Sequence, residues 1–108
     1  MDESHFKTLR ELGKDRTLSQ RDLSRKVGRS VGRINFIIKA LIEKGYIKAE
    51  RFKNSKNKSG YMYILTPKGV SEKILQTQAF LHRKTEEYER LRVEIEKLRK
   101  ETDESSLF

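Results

Sequence analysis

The chain has 108 residues, of which 34% are hydrophobic and 38% charged, with a formal net charge of +9 and no cysteine. That size suits one domain with a small core, which self-association would supplement. The composition excludes disulfides, thiol chemistry and cysteine zinc sites. The polar opening Met1-Asp2-Glu3-Ser4, with no long apolar run after it, argues against export and for a cytoplasmic, non-membrane protein.

Charge is placed regionally. Between Arg16 and Gly60 there are 13 Lys/Arg against three acidic residues, Asp22, Glu43 and Glu50. From Phe80 to the end there are seven Lys/Arg against eight acidic residues. A field confined to one segment favours a polyanion such as nucleic acid or an anionic membrane surface, and of these the asymmetry points to nucleic acid.

Phe6, Leu9 and Leu12 recur at helical spacing, so Ser4 to Leu12 reads as a short first helix ended by Gly13. Arg16 to Leu18 is too short for a helix and suits a brief strand. Ser19 is then an N-cap with Asp22 three residues on, and Leu18 and Leu23 stand at the spacing of a hydrophobic staple. Gly28 stops this second helix and Ser30 caps a third. In the third helix Val31, Ile34, Ile38, Leu41 and Ile42 form an apolar stripe with Ile37 at its edge, and Gly45 closes it. Two short helices about the turn Gly28-Arg29-Ser30 make a helix-turn-helix.

Tyr46 to Lys53 and Tyr61 to Thr66 are β-like, and the polar run Asn54 to Gly60 between them reads as a hairpin loop. Thr66-Pro67 opens a last helix, with Thr as cap and Pro at the first position. No proline follows, so this helix can run to about Glu101, leaving a flexible tail over 102–108. The fold class is therefore mainly α with a small β-hairpin. A winged helix-turn-helix spans 1–66 and a long dimerisation helix spans 67–101.

With the stripe turned inward, Gly32, Arg33, Phe36 and Lys39 face outward and Asn35 lies at the boundary. Residues near the start of a recognition helix meet base edges in the major groove. Arg33 suits guanine O6 and N7, although arginines so placed also serve as phosphate contacts. Asn35 suits adenine. Phe36, an aromatic on a polar face, suits thymine methyls or packing beneath a neighbouring segment. Gly32 permits close approach, and Arg29 and Ser30 complete the surface. Lys53, Lys56 and Lys58 give the wing point charges suited to phosphate.

In the last helix Ile74, Leu81, Tyr88 and Ile95 fall seven apart, as do Val70, Thr77, Lys84, Leu91 and Leu98. Ile74, Leu81, Tyr88, Leu91, Ile95 and Leu98 are the expected dimer contacts, with Thr77 and Lys84 interrupting one row. Glu87 and Glu94 would meet Arg92 and Arg99 of a parallel partner. No metal, cofactor or catalytic set is expected, since His5 and His82 are far apart and no phosphate-binding glycine loop occurs. The competing readings are a protein-binding winged helix with a coiled-coil scaffold, and an RNA-binding protein. A basic reading face followed by a basic wing favours double-stranded DNA over both.

The segments Leu18 to Ser24, Gly28 to Asn35, Leu41-Ile42-Glu43-Lys44-Gly45-Tyr46-Ile47 and Leu65-Thr66-Pro67-Lys68-Gly69 together resemble the MarR family of winged-helix regulators. With Phe80-Leu81 and Glu87-Tyr88, the combination is similar to the branch associated with exopolysaccharide synthesis. The resemblance implies a bacterial, homodimeric transcription regulator that reads an inverted repeat near exopolysaccharide genes. It places reading roles on Ser30, Arg33, Asn35 and Phe36 and the wing on Lys56 and Lys58. The brief N-terminal helix departs from the wider family and argues against a small-molecule effector pocket.

Overall fold

The computed structural model describes residues 2–53 and 59–106. Elements run α1 (Glu3–Lys14), α2 (Gln20–Val27), α3 (Val31–Glu43), β1 (Ile47–Lys53), β2 (Ser59–Leu65) and α4 (Pro67–Ser106). The chain divides into two compact units, Met1–Gln76 and Thr77–Phe108.

In the first unit, α1 begins earlier than expected. Asp2 caps it by accepting from the His5 backbone N–H, and the helix passes Gly13 to end at Lys14. The following residues are a turn, not the brief strand expected over Arg16 to Leu18. The Asp15 carboxylate accepts from both the Thr17 N–H (2.9 Å) and the Thr17 hydroxyl (2.6 Å), which curls the backbone away from extension. Leu18 is buried beside Leu23, and Ser19 and Asp22 form the reciprocal cap that opens α2. Gly28 ends α2 at φ +76°, the left-handed region where a side chain would be strained. Ser30 at once caps α3, accepting from the Arg33 N–H.

The core joins Leu9 and Leu12 of α1, Leu18, Leu23 and Val27, the inner face of α3, and Ile47 and Tyr63 of the hairpin. The apolar stripe of α3 is rotated from the expected one. Ile37 is fully buried with Ile34, Ile38 and Leu41, while Val31 and Ile42 are 42% and 40% exposed. At 100° per residue the first four lie within one arc, and Val31 and Ile42 fall on its rim. The strands pair antiparallel from Ile47↔Leu65 to Lys53↔Ser59.

The hairpin returns to α3 through one tight junction. The Thr66 N–H donates to the Tyr46 carbonyl (3.0 Å), the Thr66 hydroxyl donates to the Gly45 carbonyl (2.5 Å), and the same hydroxyl accepts from the Gly69 N–H (3.0 Å). A Cβ on Gly69 would lie 1.8 Å from the Tyr46 carbonyl oxygen. No side chain fits there, which gives the glycine in the Leu65 to Gly69 segment a steric reason.

The second unit is helical through Ser106. The helix does not stop at Glu101: no glycine or proline intervenes, and the Thr102 hydroxyl donates to the Leu98 carbonyl (3.0 Å). Leu81, Tyr88, Leu91, Ile95 and Leu98 are all exposed along it.

Replacing Gly69 with Ala should destabilise the protein by about 2 kcal/mol or more, as overpacking does against rigid backbone. Urea unfolding measures this. An unchanged midpoint would mean that α4 does not seat on Tyr46 as described.

Candidate nucleic-acid interface

The outward face of α3 is built by the cap at Ser30 and the burial of Ile34, Ile37, Ile38 and Leu41 behind it. Gly32, Arg33, Phe36 and Lys39 are exposed, as expected. Phe36 is 58% exposed and so does not pack beneath a neighbouring segment. Instead the Arg33 guanidinium carbon lies 5.0 Å from its ring centroid. Open space surrounds Gly32, one turn before Phe36.

Arg33 and Asn35 do not share a direction, being about 200° apart around the helix. Arg33 reaches α1, where its Nη2 donates to Asp2 Oδ2 (3.2 Å). Asn35 turns toward α2, where its amide donates to Gln20 Oε1 (3.3 Å). Gln20 in turn donates to the Tyr63 hydroxyl (3.1 Å). Asn35 is therefore half-buried at one end of a polar chain that links α3, α2 and β2. Arg29 is exposed in the turn, with Nε donating to Ser4 Oγ (2.9 Å) and Nη1 to the Gly28 carbonyl (3.1 Å).

On the hairpin, only the backbone of Lys53 is described, and Lys56 and Lys58 lie outside the described residues. Among the described side chains of the strands, Lys48 pairs with Glu50 (3.0 Å), and the cation nearer the tip is Arg51. It faces Tyr61 across the ladder, 5.9 Å from the ring centroid, and Tyr61 is half exposed. Arg21, Arg25 and Lys26 add exposed positive charge on α2, with Arg25 bonded to Asp22 (2.6 Å).

The Arg51–Tyr61 pair had one sequence signal, its place in the basic segment. The Asp2 and Tyr63 contacts had none, because residues 31 and 43 positions apart meet only in the tertiary fold. Among the described residues no group of three His, Cys, Asp or Glu could hold a metal. No helix among them is long and apolar enough to cross a membrane. A cleft of about 480 Å3, lined by residues that include Leu12, Arg16, Leu65, Val70 and Lys73, draws none of its lining from α3.

Residues 1–48 match a family described as winged helix-turn-helix DNA-binding. Among solved structures, a MarR/EmrR family transcriptional regulator from Acinetobacter sp. ADP1 superposes with a TM-score of 0.67. It is 20% identical over 96% of this chain and 78% of its own. MepR, a transcription regulator of the Staphylococcus aureus multidrug efflux pump MepA, gives 0.62 at 19% identity over 91% of this chain and 77% of its own. The chain has the winged-helix fold of MarR-type regulators. A third match is an S. aureus MepR–DNA complex, at 0.63 and 20% identity over 78% of this chain and 60% of its own. Comparison with curated proteins gives no match.

The Asp2 carboxyl is held down at about 2, first by the hydrogen bonds from the His5 ring and backbone N–H, with smaller help from the Arg33 charge. Folding thus favours its ionised form. The contribution is complete above the ordinary value of 3.8 and is lost as pH falls through about 2. Carbon-13 titration of the Asp2 carboxyl should give a midpoint near 2, and a midpoint at the ordinary value would show that these bonds do not persist in solution.

Replacing Gly32 with Ala should stabilise the fold by about 0.5–1 kcal/mol, since the added methyl meets open space and alanine favours helix. Thermal unfolding checks this, and a lowered midpoint would contradict the open surroundings of Gly32.

Proposed function

We propose that the protein is a sequence-specific double-stranded DNA-binding transcription regulator that acts as a homodimer on an inverted repeat. The observation that carries this is the outward face of α3. Gly32, Arg33, Phe36 and Lys39 lie exposed behind a capped N-terminus, and the cations of α2 and Arg51 of the hairpin are exposed as well. A helix of this kind fits the major groove, with Arg33 toward a guanine and Phe36 toward thymine methyls. Arg29, Ser30 and Lys39 flank the base-reading positions, and Arg51, Lys53, Lys56 and Lys58 carry the wing along phosphates. Asn35 buttresses α3 through Gln20 rather than reading a base. The MepR–DNA complex of the same fold, and the family match over residues 1–48, support this reading.

The dimer rests on the distal helix. Leu81, Tyr88, Leu91, Ile95 and Leu98 are large, apolar, exposed and spaced by heptads, and Ile74 before them is exposed too. In the single chain Glu87 bonds Lys84 and Arg92 bonds Glu89, each at 3.1 Å. Exchange of these weak surface pairs for Glu87–Arg92 pairs across two chains favours a parallel arrangement. The segments Leu41 to Ile47 and Leu65 to Gly69, together with Phe80-Leu81 and Glu87-Tyr88, support a place among MarR-type regulators of exopolysaccharide genes.

DNA affinity should fall with rising salt along a log–log slope of about −5 or steeper, the slope of roughly six phosphate contacts. Fluorescence anisotropy with a selected duplex measures it, and affinity that is flat from low to moderate salt would remove the DNA reading. Leu81→Glu combined with Ile95→Glu should give a folded monomer in sedimentation, because both side chains are exposed in the protomer. A dimer that survives both changes would place the interface elsewhere.

A further inference from the structure

The first turn of α1 reaches the arginine best placed to read a base. Asp2 Oδ1 accepts from the His5 N–H (2.9 Å) and lies 2.7 Å from His5 Nδ1. His5 is buried, so this half of the carboxylate is anchored. The other oxygen, Oδ2, accepts from Arg33 Nη2. The ring of Phe36 covers one face of the same guanidinium. Arg33 is thus held from two sides, by a fixed anion and by an aromatic one turn along its own helix.

A guanidinium carries five N–H donors in a rigid plane, and reading guanine O6 and N7 takes two of them. A carboxylate at one amino group leaves donors for that contact and fixes the plane in which they point. An exposed arginine left alone samples many rotamers, and ordering it on binding lowers affinity. We propose that Asp2 is a specificity-determining positioning residue, which with Phe36 holds the Arg33 guanidinium in the orientation that reads a guanine. This rests on the DNA-binding reading above.

The rival role for an anion at this place is plain repulsion of phosphate, which would weaken binding to every duplex alike. The two roles differ in sign on the specific duplex, where loss of the charge weakens binding if Asp2 positions Arg33 and strengthens it if Asp2 only repels phosphate. The test uses the full chain, a duplex selected from a random library by the wild-type protein, and a random duplex of equal length. Asp2→Asn removes the charge yet keeps a good N-cap, so the protein should stay folded with a modest fall in the unfolding midpoint. Affinity for the selected duplex should fall about fivefold, the scale of one exposed ion pair. Affinity for the random duplex should stay level or rise. Asp2→Ser, a second uncharged cap, should behave alike, and neither change should alter the ratio of the two affinities when Arg33 is already Ala.

Equal gains on both duplexes would overturn the proposal in favour of repulsion, and an unchanged ratio would overturn it outright. The same ratio loss in the Arg33→Ala background would show that Asp2 acts through something other than Arg33. Wild-type protein that binds no duplex would remove the DNA reading and this inference with it. Wild-type discrimination retained in Asp2→Asn would remove this inference alone.

Discussion

The contact between Gly69 and the Tyr46 carbonyl is the constraint on which the first unit depends. It joins the exit of α3, the end of the hairpin and the start of α4 at one point. Thr66 serves all three, donating to the backbone at residues 45 and 46 and accepting from Gly69. Pro67 needs no partner for a missing N–H at the first helical position. The Lys68 ammonium lies over the Tyr46 ring at 5.4 Å and covers the junction. This closure fixes the return of β2 toward the exit of α3, alongside the burial of Ile47 and Tyr63 in the shared core.

From that junction outward the molecule separates its tasks by chemistry. One side of α3 is apolar and carries the core; the other carries cations, an aromatic ring and a glycine. The chain Asn35–Gln20–Tyr63 ties the reading helix to the wing strand on one flank, and the Asp2–Arg33 pair ties it to α1 on the other. Neither bond is strong alone, since exposed charge pairs contribute little to stability. In the proposed function their value lies in fixing directions before DNA arrives.

Much of this was legible locally. The Ser19–Asp22 cap, the stop at Gly28, the Ser30 cap and the Thr66-Pro67 helix start are short-range patterns, and each formed as read. Elements that depend on distant partners were not legible. The turn that replaces the strand expected at Arg16 to Leu18 is the exception, a local pattern in which one Asp15 oxygen meets two donors of Thr17. Ile37 proved central and Val31 and Ile42 peripheral, since what covers a helix face depends on its neighbours as well as on its own periodicity. The bond from the Asn35 amide to Gln20 spans 15 positions, and no local pattern announces it. The heptads of the distal helix are plain in sequence, and in the single chain they leave its apolar row exposed.

The central claim is that the outward face of α3, with the hairpin beside it, is the surface that meets DNA. Mapping backbone amide shifts while a selected duplex is added tests this most directly. The account predicts shifts and broadening at residues 29–39 and along β1 and β2, with little change over 81–98. Shifts confined to the distal helix, with α3 untouched, would contradict it.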